Sequence, residues 1–289
     1  MLLLDFDYDA GLAALSRFAD QLDAAGQSYP YRFALAPNSG QPTLYDLDGD
    51  GRKSGPGDAI SYGDFPGQGG MALLSRFSLV HDDVRNYSTF PWRDVPLGLW
   101  DETRTEAGLA LSSVGHWQVP VTLSDGTVLN ILAWHATTPA FDDKDDRNGR
   151  RNHDENLFWL ALLDRSLPFP PPAPPFVLMG SANLDPTDGD GRKTAIRTIL
   201  ADPRLTDPKP RSFASAARGL SQGGANLSHK ADPAFDTSDW RDDPGPGNLR
   251  AHYVLPSSDL KISDTGIVWP TFDMPDATVH GLIWVDIDH

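Results

Sequence analysis

The sequence has no cysteine, which excludes disulfides and thiolate metal sites and leaves the redox compartment open. It also lacks any apolar run approaching the ~20 residues of a membrane span, so no membrane partner is expected. Positive charge is scarce. Lys and Arg total 24 against 40 Asp and Glu, a formal charge of −16. A field of that sign repels polyanions and disfavours generic nucleic-acid binding, and it suits carboxylates that hold divalent cations. Met1 to Leu4 is followed at once by Asp5, too short and too acidic a start for a signal peptide. No compartment is fixed by this; a periplasmic or secreted location would follow if a further segment preceded it. What is abundant is core material. Hydrophobic residues make up 39% and aromatic residues 10% of 289, which fits one large α/β domain or two small ones.

The most informative stretch runs from Val128 to Glu155. Val128 to Trp134 follows a turn at Gly126 and reads as a buried strand that delivers His135 at its carboxyl end. Open α/β sheets place their ligand crevices there. A loop of alternating acids and bases comes next, and a helix is expected from near Asn152, with Asn152 as N-cap and Glu155 completing a capping box. Strand, His, polar loop and helix together suit phosphate chemistry.

Elsewhere, Leu2 to Tyr8 reads as a strand ending in alternating Asp5, Asp7 and Asp9. Leu12, Leu15, Phe18, Ala19 and Leu22 then predict an amphipathic helix. Tyr31 to Ala36 and Met71 to Leu79 read as strands, and aromatic-rich Val84 to Trp92 as cover for a sheet edge. Leu109 to Val114 and His116 to Leu123 are expected to pair antiparallel, joined through Ser124–Thr127 to the His135 strand. The six prolines between Leu167 and Pro175 predict a stiff connector. Phe176 to Met179 reads as a strand and Lys193 to Ala201 as a helix. Thr206 to Gly247 shows little periodicity, and strands are expected at Tyr253 to Leu255, Leu260 to Ile262, Gly266 to Trp269 and Leu282 to Ile287. This mixture of hairpins and crossovers predicts a layered α/β sandwich with mixed sheets.

Two acidic turns invite metals. Asp46, Asp48 and Asp50 with Gly51 match the opening of a calcium loop in which alternate carboxylates converge on one ion. Gly57, at the twelfth position, offers no carboxylate, but Asp58 lies one residue later. A structural Ca²⁺ is expected there. Asp185, Asp188 and Asp190 form a second, weaker candidate. Arg147, Arg150 and Arg151 are the tight basic cluster, placed either to bind phosphate or to pair with Asp142 to Asp146.

Several segments resemble the endonuclease/exonuclease/phosphatase superfamily over nearly the whole chain. They are FPGQGGMALLSRF (65–77), WHATTP (134–139), RNGRRNHDE (147–155), GSANLDPTDGDGR (180–192), GPGNLRAHYVLPSSDL (245–260) and VHGLIWVDI (279–287). The resemblance implies a four-layer α/β sandwich, with two mixed sheets packed face to face and flanked by helices. It also implies a single domain, 1–289, that lacks the family's first strand. The implied activity is hydrolysis of a phosphomonoester or phosphodiester, dependent on Mg²⁺ or Mn²⁺. By the same resemblance His135 contacts the scissile phosphate, Asn183 stabilises developing charge and His280 is the general base. Asp5 stands where the family places a metal-binding Glu, and Arg150, Arg151 and Asn152 are offered to the substrate.

The pattern is incomplete. Ser181 replaces the family's Asp two residues before Asn183, His252 stands where another Asp is expected, and Val279 replaces the Asp before His280. These departures support a rival expectation, a calcium-stabilised binding module on the same scaffold without catalysis. The charge favours a small phosphoester over duplex DNA, and no protein partner is implied.

Overall fold

A computed structural model describes residues 1–103, 106, 108–141, 145–270 and 278–288. The architecture is α/β, with several sheets, one of them mixed, flanked by helices. The chain forms two compact units, Met1–Thr137 with Phe158–Phe176, and Thr138–Leu157 with Val177–His289.

The first unit contains β1 (Leu2–Phe6), α1 (Ala13–Ala24), β2 (Tyr31–Phe33), β3 (Gly70–Ser75), β4 (Ser78–Leu79), β5 (Arg85–Asn86), β6 (Gly115–Thr122) and β7 (Val128–His135). Strands β1 and β2 flank β3, both antiparallel to it. Alternation along β3 divides the core. Ala72 and Leu74 pack with Leu15 and Ala19 of α1, whereas Met71 and Leu73 pack with Trp117, Val119, Val121 and Ala133 of β6 and β7. The apolar stripe of α1 matches its sequence periodicity.

The predicted strand from Met71 to Leu79 breaks at Arg76–Phe77 into β3 and β4, which join different sheets. The expected pairing of 109–114 with 116–123 is not formed. One intervening residue, Gly115, is too short for a hairpin, and β6 pairs instead with β7 along eight residues. Segment 109–114 is a buried loop whose polar backbone is satisfied by non-strand partners. Leu111 N–H donates to Phe90 O (2.8 Å), and Asn38 Nδ2 donates to Ser112 O (2.7 Å). Tyr87 and Phe90 of the aromatic stretch pack against Phe158 and Phe169. The proline-rich connector is anchored, since Asn130 donates from its backbone N–H to Pro175 O (3.1 Å) and from Nδ2 to Ala173 O (2.9 Å).

Helix α2 spans Arg147–Leu163. It begins five residues before the predicted start, which corrects the N-cap reading of Asn152 and Glu155. Polar residues 147–151 are compatible with helix, and Arg150 N–H already donates to Asp146 O (2.9 Å). Asn152 is therefore an interior helical residue, fully buried, donating from Nδ2 to Ala182 O (2.7 Å).

The second unit adds β8 (Phe176–Ser181), α3 (Thr194–Leu200), α4 (Phe213–Gln222), β9 (Ser238–Asp239), β10 (Asn248–Leu249), β11 (His252–Pro256), β12 (Lys261–Val268) and β13 (Leu282–Asp288). Strands β8 and β11 pair antiparallel and set Ser181 opposite His252. The two short strands expected at 260–269 are one strand, β12, which pairs with β13 and absorbs its polar middle in a register shift between Ile262 and Asp264. Helix α4 lies in a region that shows little periodicity over its length, and its buried face is made of Ser215, Arg218 and Gly219 while Phe213 and Leu220 are exposed. Its fixing is local: Ser212 Oγ accepts the Ala214 N–H at the N-cap (3.2 Å), and Ser215 Oγ donates to Asp236 O (2.8 Å). Ser212→Ala is expected to cost about 1 kcal/mol in urea denaturation; an unchanged midpoint would show that the cap contributes nothing.

Candidate functional site

Three alternating acids run from the end of β1 into the turn after it, and the structure gives each a different task. Asp9 accepts the N–H groups of Ala13 (2.9 Å) and Ala14 (3.1 Å) and so caps α1, and these bonds hold its carboxyl below the usual range. Asp7 Oδ1 accepts the Gly69 N–H (2.9 Å). Asp5 is the unusual member. The β1–β3 register shifts between Leu4 and Phe6, so Asp5 is the extra residue of a bulge, with φ at 53°. Bulges re-aim side chains, and Asp tolerates this left-handed conformation better than most residues.

The Asp5 carboxylate lies 3.9 Å from His135 Nε2. His135 ends β7, opposite Gly115 of β6. Its side chain is 9% exposed, against 56% for Asp5. Burial pushes the imidazole below its ordinary value, and the neighbouring Asp5 charge partly opposes that shift. Among the described residues, Nδ1 is buried with no hydrogen-bond partner. A strand-end neutral imidazole thus faces a solvent-accessible carboxylate placed by a bulge.

The remaining residues named by sequence lie in the second unit. Asn183 lies two residues beyond the end of β8, with φ at 47°, and its N–H donates to Ser181 Oγ (3.3 Å). His280 forms an isolated bridge with Ser238, and its ring meets the His252 ring edge-on at 4.7 Å. His252 is buried, with Nδ1 facing the hydroxyls of Thr237 and Ser238, each at 3.2 Å. Position 279 is half exposed and apolar. The environment of His280 therefore includes an imidazole where the family pattern supplies a carboxylate.

Arg150 and Arg151 occupy different surroundings. Arg151 is 3% exposed, and its guanidinium is lowered by burial, with Glu155 one helical turn on opposing the shift. Arg150 is half-buried. Of the acids proposed to pair with this cluster, 142 and 143 lie outside the described residues, and Asp146 accepts from Arg192 (2.6 Å).

Among the described residues, one group of side chains assembles in metal-binding proximity: Asp46, Asp48 and Asp50, with oxygens within 4.8 Å of one another. The second acidic turn, the weaker candidate, forms no such group among the described residues. Asp185 spends Oδ1 on the N–H groups of Thr187 and Asp188 and Oδ2 on that of Arg250, while Asp188 accepts from Lys230 and Ala231. These carboxylates organise loops. Asp236, which the sequence did not single out, is 4% exposed. Burial and the charges of Asp185, Asp188 and Asp232 push its carboxyl up to about 8. No motif marks it, because two of its charged neighbours, Asp185 and Asp188, come from a distant segment.

The chemistry at Asp5 fits a small hard cation. Mg²⁺ commonly takes one or two carboxylates and completes its shell with water and substrate oxygens. The accessible Asp5 carboxylate would supply one such oxygen.

A model of the endonuclease/exonuclease/phosphatase family matches residues 9–274. No curated protein matches the sequence. Among solved structures, the endonuclease/exonuclease/phosphatase from Beutenbergia cavernae DSM 12333 is similar with a TM-score of 0.56 and 15% identity. That likeness covers 94% of this chain and 56% of the other, so this chain spans little more than half that protein's length. A family protein from Bacteroides thetaiotaomicron has a TM-score of 0.47 and 11% identity, covering 99% of this chain and 97% of that one. Sphingomyelinase C from Streptomyces griseocarneus has a TM-score of 0.46 and 16% identity, covering 99% and 82%. At these identities, the likeness to the Beutenbergia protein establishes the fold alone.

Proposed function

Because the chain belongs to the endonuclease/exonuclease/phosphatase family, we propose that it hydrolyses a small phosphomonoester or phosphodiester with the help of Mg²⁺ or Mn²⁺, using Asp5 and His135. The observation that carries this reading is the bulge-placed carboxylate 3.9 Å from a buried strand-end imidazole. Asp5 would hold the cation, which supplies Lewis acidity towards a phosphoryl oxygen. His135, kept neutral by burial, orients an oxygen of the ester through its imidazole and excludes bulk water from that side. Asn183 and His280 are assigned charge stabilisation and general-base roles on the family pattern, and half-buried Arg150 a role in holding the substrate, which the buried Arg151 and Asn152 would support from within α2. The formal charge of −16 supports a small substrate over duplex DNA.

The test is release of p-nitrophenol from bis-p-nitrophenyl phosphate and p-nitrophenyl phosphate by the full chain, with Mg²⁺ or Mn²⁺ and with a chelator. Metal-dependent release that the chelator abolishes is expected. No release with any divalent cation would end the catalytic reading. One observation favours a second reading, a binding module without turnover: His280 lies against the His252 ring, with Val279 before it in place of the family's Asp. Phosphoester binding by calorimetry with no product formed would select that reading.

A further inference from the structure

We infer that Asp46, Asp48, Asp50 and Asp58 hold one calcium ion that fixes the loop following β2. The three exposed or half-exposed carboxylates bring oxygens within 4.8 Å of one another, a mutual repulsion that a divalent cation would relieve. The loop is already shaped around them. Asp46 accepts the N–H groups of Gly49 (2.8 Å) and Gly51 (3.0 Å), Asp48 that of Asp50 (3.1 Å) and Asp50 that of Arg52 (2.7 Å).

Asp58 supplies an independent indication. It is 2% exposed, and its Oδ1 accepts the N–H of Leu47 (2.7 Å), the residue between the first two acids. Its Oδ2 is buried with no hydrogen-bond partner among the described residues. A buried carboxylate oxygen left unmatched against an acidic loop is costly unless a cation completes it. The chain beside Asp58 runs close against the second acid, since a Cβ built at Gly57 would meet Asp48 Oδ2 at 2.2 Å.

Calcium suits this set better than magnesium, because several carboxylate oxygens on a flexible loop favour the larger shell of 6–8 ligands. The loop is joined to the rest of its unit by bonds on both sides of the acidic segment. Thr43 N–H donates to Asp58 O (3.2 Å), Ile60 N–H to Gln41 O (2.8 Å) and Gly40 N–H to Ser61 O (2.9 Å). The ion would therefore secure a closed loop, and this site is separate from the proposed catalytic carboxylate.

The experiment uses terbium luminescence of the full chain, sensitised by Tyr45 beside the first acid, with calcium as competitor. Calcium is expected to displace terbium with a dissociation constant of about 10⁻⁴ M or tighter and to outcompete magnesium. Asp48→Asn, at an exposed position, should weaken calcium at least ten-fold. Asp58→Asn should do the same while keeping the acceptor for Leu47. Asp5→Asn should leave the titration unchanged, which separates this site from the phosphoesterase proposal. A wild-type curve in Asp48→Asn, no displacement by calcium, or loss of binding in Asp5→Asn would each overturn the inference.

Discussion

His135→Ala is expected to lower metal-dependent phosphoester hydrolysis by about 10³-fold, with most of the loss in kcat. The argument is electrostatic. A buried donor fixed at a strand end is oriented before charge develops on the ester, whereas water admitted by the truncation must reorganise. The His135 backbone is fixed by the β6–β7 ladder, where it opposes Gly115, and its ring is buried. Stability should change little, because deletion removes a desolvated imidazole whose Nδ1 has no partner among the described residues as well as removing packing. Circular dichroism and the urea midpoint check the second half of that statement. A variant that keeps wild-type kcat would remove His135 from the chemistry, whatever happens to the other family residues.

Asp236→Asn is expected to make the protein more stable than the wild type at pH 8 and nearly equal to it at pH 4. The carboxyl is raised in the folded state to about 8, by burial first and then by Asp185, Asp188 and Asp232. Below the unfolded value near 4 the group is protonated in both states and costs nothing. Between about 4 and 8 the unfolded chain releases the proton while the folded chain keeps it, so stability falls as pH rises. The slope is about 1.4 kcal/mol per pH unit for one proton, amounting to a few kcal/mol over the window. Above 8 the carboxylate is charged in both states and the full cost persists. Asparagine has no proton to lose and escapes this. Thermal midpoints of the two proteins measured from pH 4 to 9 should diverge steadily; parallel curves would mean that Asp236 ionises normally.

The amphipathic spacing of α1 and the apolar runs of β7 and β8 made those elements legible in the sequence, because burial on one face or both leaves a periodic trace. Helix α4 and the merged strand β12 were not legible. The first is held by Ser212, Ser215 and Arg218 contacts more than by large apolar groups, and the second carries polar residues through an exposed ladder. The start of α2 was misjudged because Asn152 looks like a cap wherever it stands, and only its bond to Ala182 O shows it buried inside the helix. At the candidate site, His135 could be found from its position at the end of an apolar run. Asp5 was set apart from Asp7 and Asp9 by the family resemblance, and backbone geometry supplies the physical difference between them. Asp236 and the unmatched oxygen of Asp58 depend on segments brought together by folding, and no local pattern encodes them.

The bulge in β1 carries a consequence for how this protein could diversify. Leu2, Leu3 and Leu4 keep their pairing with Leu73, Ala72 and Met71, and Phe6 resumes pairing at Gly70, so the intervening residue belongs to neither packed face. Its identity is uncoupled from the cores on both sides of β3. Asparagine or glycine, which accept the left-handed conformation at φ 53°, could be exchanged there without repacking the strand. Under the proposed function, ion binding at that point would be open to change by a single codon, while the scaffold around it stays constant.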